Sequence, residues 1–144
     1  MPMMGDNPLF IDTNVLVYAA VENAPWHTTA LNTLEELQTS NTPCYINRQV
    51  LREFMCIMTR PQTFLPRPDV TTVIKQVQYL EHRMRVLEDD YLTTQMLLGL
   101  LEKYAVGGKR VHDANIVSTM MVHEIPQLLT HNVQDFEAFS DIIT

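Results

Sequence analysis

Cysteine is nearly absent. The 144-residue chain has only Cys44 and Cys56, and they form no CxxC pair. That excludes a disulfide framework and a zinc knuckle, and a reduced, cytoplasmic protein is the expectation. Long apolar runs are missing too. The longest is Val15 to Val21, seven residues, where a bilayer span takes about 20. Residues 1–7 (MPMMGDN) have neither a charged n-region nor an apolar h-region, so no signal peptide is expected. Repeats and low-complexity segments do not occur. Basic residues are scarce: ten Lys and Arg face seventeen Asp and Glu, a net charge of −7. Proteins that coat nucleic acid draw most of their affinity from phosphate contacts and are commonly basic, so the balance argues against a plain DNA-coating protein. It suits acids gathered around metal ions, because a bound cation reverses the local charge.

What is present is an ordinary globular composition, 46% apolar and 19% charged. One domain covering 1–144 is expected, long enough to bury about 68–70% of its unfolded surface. Short apolar runs alternate with helical patterns. Residues 9–12 (LFID) read as a buried strand ending in an acid, and 13–20 (TNVLVYAA) as the helix or turn leaving it. Ala30, Leu31, Leu34 and Leu37 recur at helical spacing over 27–38. A strand is expected at 43–46, then a helix capped by Asn47 and running to about 59, then a Pro-rich loop at 61–68. A helix from 69 or 71 to about 82, a strand at 85–87 and a helix over 91–104 follow. After a Gly107-Gly108 turn come a helix from 111 to about 124, a strand at 127–130 and a last edge strand at 141–143. Alternation of this kind implies an α/β fold with a parallel sheet, whose ligands bind beyond the carboxyl ends of the strands.

Acids stand at those ends. Asp12 closes the first strand, where it also has the chemistry of a helix N-cap. At ~100° per residue, Val117, Met120 and Met121 fall at about 40°, 340° and 80° from Asp113, with Ala114 at about 100° and Ile116 at about 300°. Asp113 therefore lies inside an apolar arc. An unpaired carboxylate there needs a partner or a proton; the first helical turn helps by roughly 0.3–1 kcal/mol. A cap, or a pair with Arg110 or His112, is the structural alternative. Glu53 edges the apolar arc that runs from Ile57 through Val50, Phe54, Met58 and Leu51 to Met55, whereas Arg52 points to solvent; here the alternative is a glutamate bridged to an arginine. Asp135 shares the loop after Thr130 with Asn132.

Taken together, these acids call for a counter-charge. Two unit charges 4 Å apart repel by about 4 kcal/mol at an effective dielectric of 20, and three sum to the order of 10 kcal/mol. No dedicated lysine is in evidence. A hard divalent cation, Mg²⁺ or Mn²⁺, suits a few carboxylates plus waters and supports phosphodiester hydrolysis.

The motifs FIDTNVL at 10–16, REF at 52–54, VHDANI at 111–116 and LLTHNVQDF at 128–136 resemble, in order and spacing, those of PIN-domain ribonucleases. Within that family the chain is most similar to the VapC-type toxins of prokaryotic toxin–antitoxin pairs, over roughly 8–141. The resemblance implies a three-layer α/β/α sandwich with a central parallel sheet, and a Mg²⁺- or Mn²⁺-dependent endoribonuclease. It implies Asp12, Glu53, Asp113 and Asp135 as metal ligands and catalytic residues. Thr13 or Asn14 would orient the first acid and Thr130 would be a hydroxyl neighbour; Asn132 stands where some relatives carry an acid. It further implies an RNA substrate, a homodimer and a cognate antitoxin.

Other features have plainer readings. Arg48, Arg52, Lys109 and Arg110 are candidates for RNA phosphate contacts, with solvated surface charge as the alternative. His112 reads as a substrate contact or a structural residue rather than a base. The nine methionines suit core or dimer contacts. Trp26 and the Phe64 loop suit packing at a subunit interface better than base stacking. Glu88-Asp89-Asp90 reads as a turn and helix start. Two rival functions remain: a PIN-like binding module without activity, and an aspartate-based phosphatase. The phosphatase wants a second acid two residues after the first, where this chain has Asn14.

Overall fold

The computed structural model describes residues 7–61 and 68–144. Phe64 and most of the expected 61–68 loop lie outside them. Four strands, β1 (Leu9–Ile11), β2 (Cys44–Asn47), β3 (Arg85–Leu87) and β4 (Gln127–Leu129), form one parallel sheet in the order β3-β2-β1-β4. Around it stand α1 (Thr13–Ala20), α2 (His27–Thr39), α3 (Arg48–Thr59), α4 (Val70–Arg83), α5 (Tyr91–Tyr104), α6 (Arg110–Val122) and a closing 3-10 helix, Val133–Phe139. This is the α/β/α architecture that strand–helix alternation predicts. None of the described helices is long and apolar enough to cross a membrane.

The inner strands, β1 and β2, are covered on both faces, which is why they are mostly apolar, with Asn47 at the end of β2 the polar exception. Phe10, Ile11 and Ile46 are wholly buried, and Phe54, Ile116, Met120 and Phe139 join them in the core. Helix starts follow from short polar side chains. Asp69 accepts from the Thr72 N–H, Asp90 from the Thr93 N–H, and Asn47 from the Val50 N–H. Asn47 is completely buried. Its amide also donates to Thr119 Oγ1 at 3.2 Å, tying the end of β2 to α6. Before α6 the chain turns at Gly108, whose φ of 61° suits a residue without Cβ.

Several boundaries differ from expectation, each for a local reason. β1 stops at Ile11 because Asp12 turns to cap α1, accepting from the Thr13 N–H at 2.8 Å. Asp135 sits in the first turn of the 3-10 helix, not in an open loop. The edge strand expected at 141–143 is not formed. The Ile142 and Ile143 N–H groups bond back to the Phe139 carbonyl, continuing the turn, while Ile143 is buried against the core. Only Thr144 meets the sheet side, through the Pro126 carbonyl and the Leu128 N–H. Trp26 is 62% exposed in the single chain, which leaves its ring open to a subunit interface or to a base.

Asn47→Ala removes a helix cap and a buried inter-element bond at once. Urea denaturation is expected to show a loss of about 1–2 kcal/mol. A change below about 0.5 kcal/mol would contradict the two-fold role given to this side chain.

Candidate active site

The register of β1 on β4 builds the site. Ile11 pairs with Leu129, and the Asp12 N–H donates to the Leu129 carbonyl at 3.0 Å. The next residue on each strand, Asp12 and Thr130, therefore emerges side by side at the carboxyl edge. The Thr130 hydroxyl donates to Asp12 Oδ2 at 2.8 Å, opposite the Thr13 N–H on Oδ1. The Asn14 amide donates to Asp12 Oδ2 at 3.4 Å and to Thr130 Oγ1 at 3.2 Å, and its oxygen accepts from the His131 N–H at 3.1 Å. Asn132 contributes its backbone N–H, 3.0 Å from Thr130 Oγ1, while its side chain faces outward.

Asp12 is only 8% exposed. Burial pushes its proton affinity above the ordinary carboxylate range. The Thr130 and Thr13 donors oppose that shift, and the charges of Glu53 and Asp135 add to it. Asp113, half-buried in the first turn of α6, is pushed up to about 6. Burial is again the main cause, then the charges of Asp135, Asp12 and Glu53, with Arg110 pulling the other way. The charges of Glu53 and Asp135 thus act on both Asp12 and Asp113, with Asp135 itself exposed.

Glu53 is not bridged to a described arginine. Its Oε1 accepts from Gln49 Nε2 at 2.6 Å and its Oε2 from the Thr13 hydroxyl at 3.4 Å. Gln49, 5% exposed, is a site residue that motif reading passes over. Its Nε2 also donates to the His112 carbonyl at 3.0 Å, and its Oε1 accepts from Asn115 at 2.7 Å. Asn115 in turn donates to Asp89 Oδ2 at 3.0 Å. The available signal was spacing: Gln49 lies one helical turn before Glu53, on the same face.

The candidate cations are arranged differently. Arg48 holds Glu81 at 3.1 Å and Glu88 at 3.0 Å, so its guanidinium is engaged. Arg52, Lys109, Arg110 and the His112 side chain are exposed. None of the four acids forms an ion pair with a described lysine or arginine.

Among the described residues, no three His, Cys, Asp or Glu groups are arranged to cage an ion by themselves. The charges of Glu53 and Asp135 reach Asp12 and Asp113, yet the acids are not closed into a cage. Magnesium is commonly held in this manner, by one or two carboxylates with waters and substrate oxygens completing the shell. The donors of Asp12, Glu53, Asp113 and Asp135 are hard oxygens, the kind such a cation takes, and among the described residues no lysine or arginine is ion-paired to them. A groove of about 880 Å³ is lined elsewhere, by Leu16, Leu31, Leu34, Phe54 and Tyr79 among others, and none of the four acids borders it.

Comparison with known proteins agrees with this arrangement. The PIN domain family matches residues 9–141. Among solved structures the chain is similar to VapBC2 from Rickettsia felis bound to a promoter DNA fragment, with 20% identity, 94% of this chain and 96% of that one covered, and a TM-score of 0.68. It is similar to VapC20 of Mycobacterium tuberculosis, named as a sarcin-ricin loop cleaving toxin, at 16% identity, 94% and 96% coverage and a TM-score of 0.67. It is also similar to VapBC-1 from nontypeable Haemophilus influenzae, at 18% identity, 94% and 95% coverage and a TM-score of 0.66. No curated protein matches it.

The raised proton affinity of Asp113 has a definite sign for stability. The folded state binds this proton more tightly than the unfolded chain, so the group's favourable contribution is complete below the ordinary value of 3.8 and is lost as pH rises through about 6. Without divalent metal, Asp113→Asn is expected to melt a few degrees above wild type at pH 7.5, with the gain fading toward pH 4. Equal melting temperatures at pH 7.5 would contradict the crowding of charge around Asp113.

Proposed function

The chain belongs to the PIN domain family, and from that premise we propose that it is a metal-dependent endoribonuclease, the toxin of a VapBC-type toxin–antitoxin pair, with 1–144 forming one PIN domain. What supports this reading is the mutual charge of Asp12, Glu53, Asp113 and Asp135 near the carboxyl edge of the sheet, with no lysine or arginine ion-paired to them among the described residues. These four residues would hold Mg²⁺ or Mn²⁺. When bound, such an ion neutralises phosphate charge and makes water acidic enough to act as the nucleophile.

The chain's own residues supply orientation. Thr130 and the Thr13 N–H fix both oxygens of Asp12, so the carboxylate enters the reaction already aimed. Asn14 holds Thr130 in register, and the amide of Gln49 fixes Glu53. Asp113, with a proton affinity near neutrality, competes between proton and cation, so activity should fall as pH drops through about 6. Lys109 and Arg110, exposed at the start of α6, are placed to meet RNA phosphates. Attack by water on phosphorus, with departure of the 3′-oxygen, leaves 5′-phosphate and 3′-hydroxyl ends.

Similarity to structures named as VapBC complexes supports an antitoxin as partner, and a homodimer in the cytoplasm completes the reading. By the family resemblance, the antitoxin would insert a segment into the active-site groove. The phosphatase alternative loses support because position 14 acts through its amide, donating to Asp12 and Thr130, where a phosphatase would place an acid.

The test incubates the purified protein with single-stranded and hairpin RNA in Mn²⁺, Mg²⁺ or EDTA. Internal cuts that require metal are expected, and Asp12→Asn or Asp113→Asn should lower the rate by about a hundredfold or more while folding is kept. Thr130→Val, which removes the 2.8 Å bond to Asp12 together with the hydroxyl that accepts from Asn14 and the Asn132 N–H, should cost about 10–100-fold in activity or metal affinity. Cleavage that persists in EDTA, or an Asp12→Asn protein as active as wild type, would refute the proposal.

A further inference from the structure

Beside the acids lies an aromatic arrangement that the proposed chemistry does not use. The His131 ring is tilted against Tyr18 at 5.1 Å between centroids and stacked with Trp26 at 5.8 Å, the planes 22° apart. Trp26 remains 62% exposed, so stacking on His131 leaves most of the indole in water. Its backbone has φ 64° and ψ 12°, the left-handed region that a side chain with Cβ enters only at a cost. The neighbourhood holds it there. The Trp26 carbonyl accepts the Ala30 N–H at 2.8 Å, and His27 Nδ1 lies 2.8 Å from the Tyr18 carbonyl, clamping the α1–α2 connection. A large ring kept exposed by a strained, tied-down backbone is not explained by packing within this chain.

We infer that the exposed face of Trp26, backed by His131, is a stacking platform for an unpaired base of the RNA substrate. This deepens the nuclease reading and rests on it. The platform joins the site covalently and by hydrogen bonds. His131 follows Thr130, the donor to Asp12, and its N–H is held by Asn14, which also donates to Asp12. A base seated there belongs to a nucleotide near the phosphate that the acids address. Charge points the same way. The chain carries −7, the pocket is acidic and Arg48 is spent on two glutamates, so phosphate attraction rests on few cations, Lys109 and Arg110 among them. Aromatic stacking supplies affinity without positive charge, and it selects unpaired over paired substrate because a duplex hides its base faces.

Trp26 is the only tryptophan, so its emission reports on the platform directly. The Asp12→Asn protein in Mg²⁺ is titrated with a short single-stranded RNA, with the same strand as a duplex, and with an abasic strand of equal length. Saturable quenching is expected with the first alone. In otherwise wild-type protein, Trp26→Ala should raise KM for single-stranded RNA about tenfold with kcat within about twofold, and Trp26→Phe should restore most of the difference. Thermal melts of both variants confirm folding. Wild-type protein that cleaves RNA while its emission is unchanged by single strands, and a Trp26→Ala protein with unaltered KM, would remove the platform and leave the nuclease standing. If Trp26→Ala instead converts a dimer to a monomer and single strands quench nothing, the ring is a subunit contact and the inference fails. If no RNA is cut under any metal, the nuclease reading falls, and the titration still decides: quenching by single strands alone upholds the platform, and its absence ends it.

Discussion

The cost of holding ionised carboxylates out of water shapes this molecule more than any other term. Asp12 is nearly buried because the strand that carries it is an inner one, paired on both sides. Every hydrogen bond it receives, from Thr13, Thr130 and Asn14, partly replaces the lost hydration. Those donors do not cancel the penalty, since the net shift of its proton affinity is still upward. Three further acids in the same field deepen the strain. Natural sites tolerate such local destabilisation where it serves binding or reaction. Here it amounts to a pocket prepared for positive charge.

The rest of the fold keeps that pocket rigid. The β1–β4 register sets Asp12 beside Thr130, and the cap from Asn47 sets the angle at which α3 delivers Gln49 and Glu53. Asn47 reaches across to Thr119, and Gln49 to Asn115, so α3 and α6 are joined by buried amides at two levels. A polar network of this kind specifies one geometry when its members are satisfied, as these are. The two acids on those helices, Glu53 and Asp113, consequently move little relative to each other. Stability and function draw on the same side chains, and a substitution such as Asn47→Ala would disturb both.

Much of this was legible in the sequence. Strand–helix alternation gave the parallel sheet, and the position of Asp113 within an apolar arc marked it as a carboxylate with a purpose. What stayed hidden depended on contacts between distant segments. Gln49 looks like a surface residue until α6 covers it. The segment 141–143 has strand-like residues, but the Phe139 carbonyl captures its N–H groups before they can pair with β4. Asp135 falls within a 3-10 turn whose hydrogen bonds no periodic pattern announces. Nothing in the sequence marks Trp26 as a ring that this chain leaves in water. The left-handed backbone that turns it outward is set by the clamp between His27 and the Tyr18 carbonyl, a relation between two helices.

The central claim is that Asp113 feels the charge of Asp12, Glu53 and Asp135. Titrating its side-chain carboxyl by carbon NMR in metal-free protein, in wild type and in Asp12→Asn, measures that coupling directly. The account requires a midpoint near 6 in wild type and a clear downward shift once Asp12 is neutral. A midpoint near 3.8 in both proteins would show that these acids do not share a pocket, and the metal site with them would be lost.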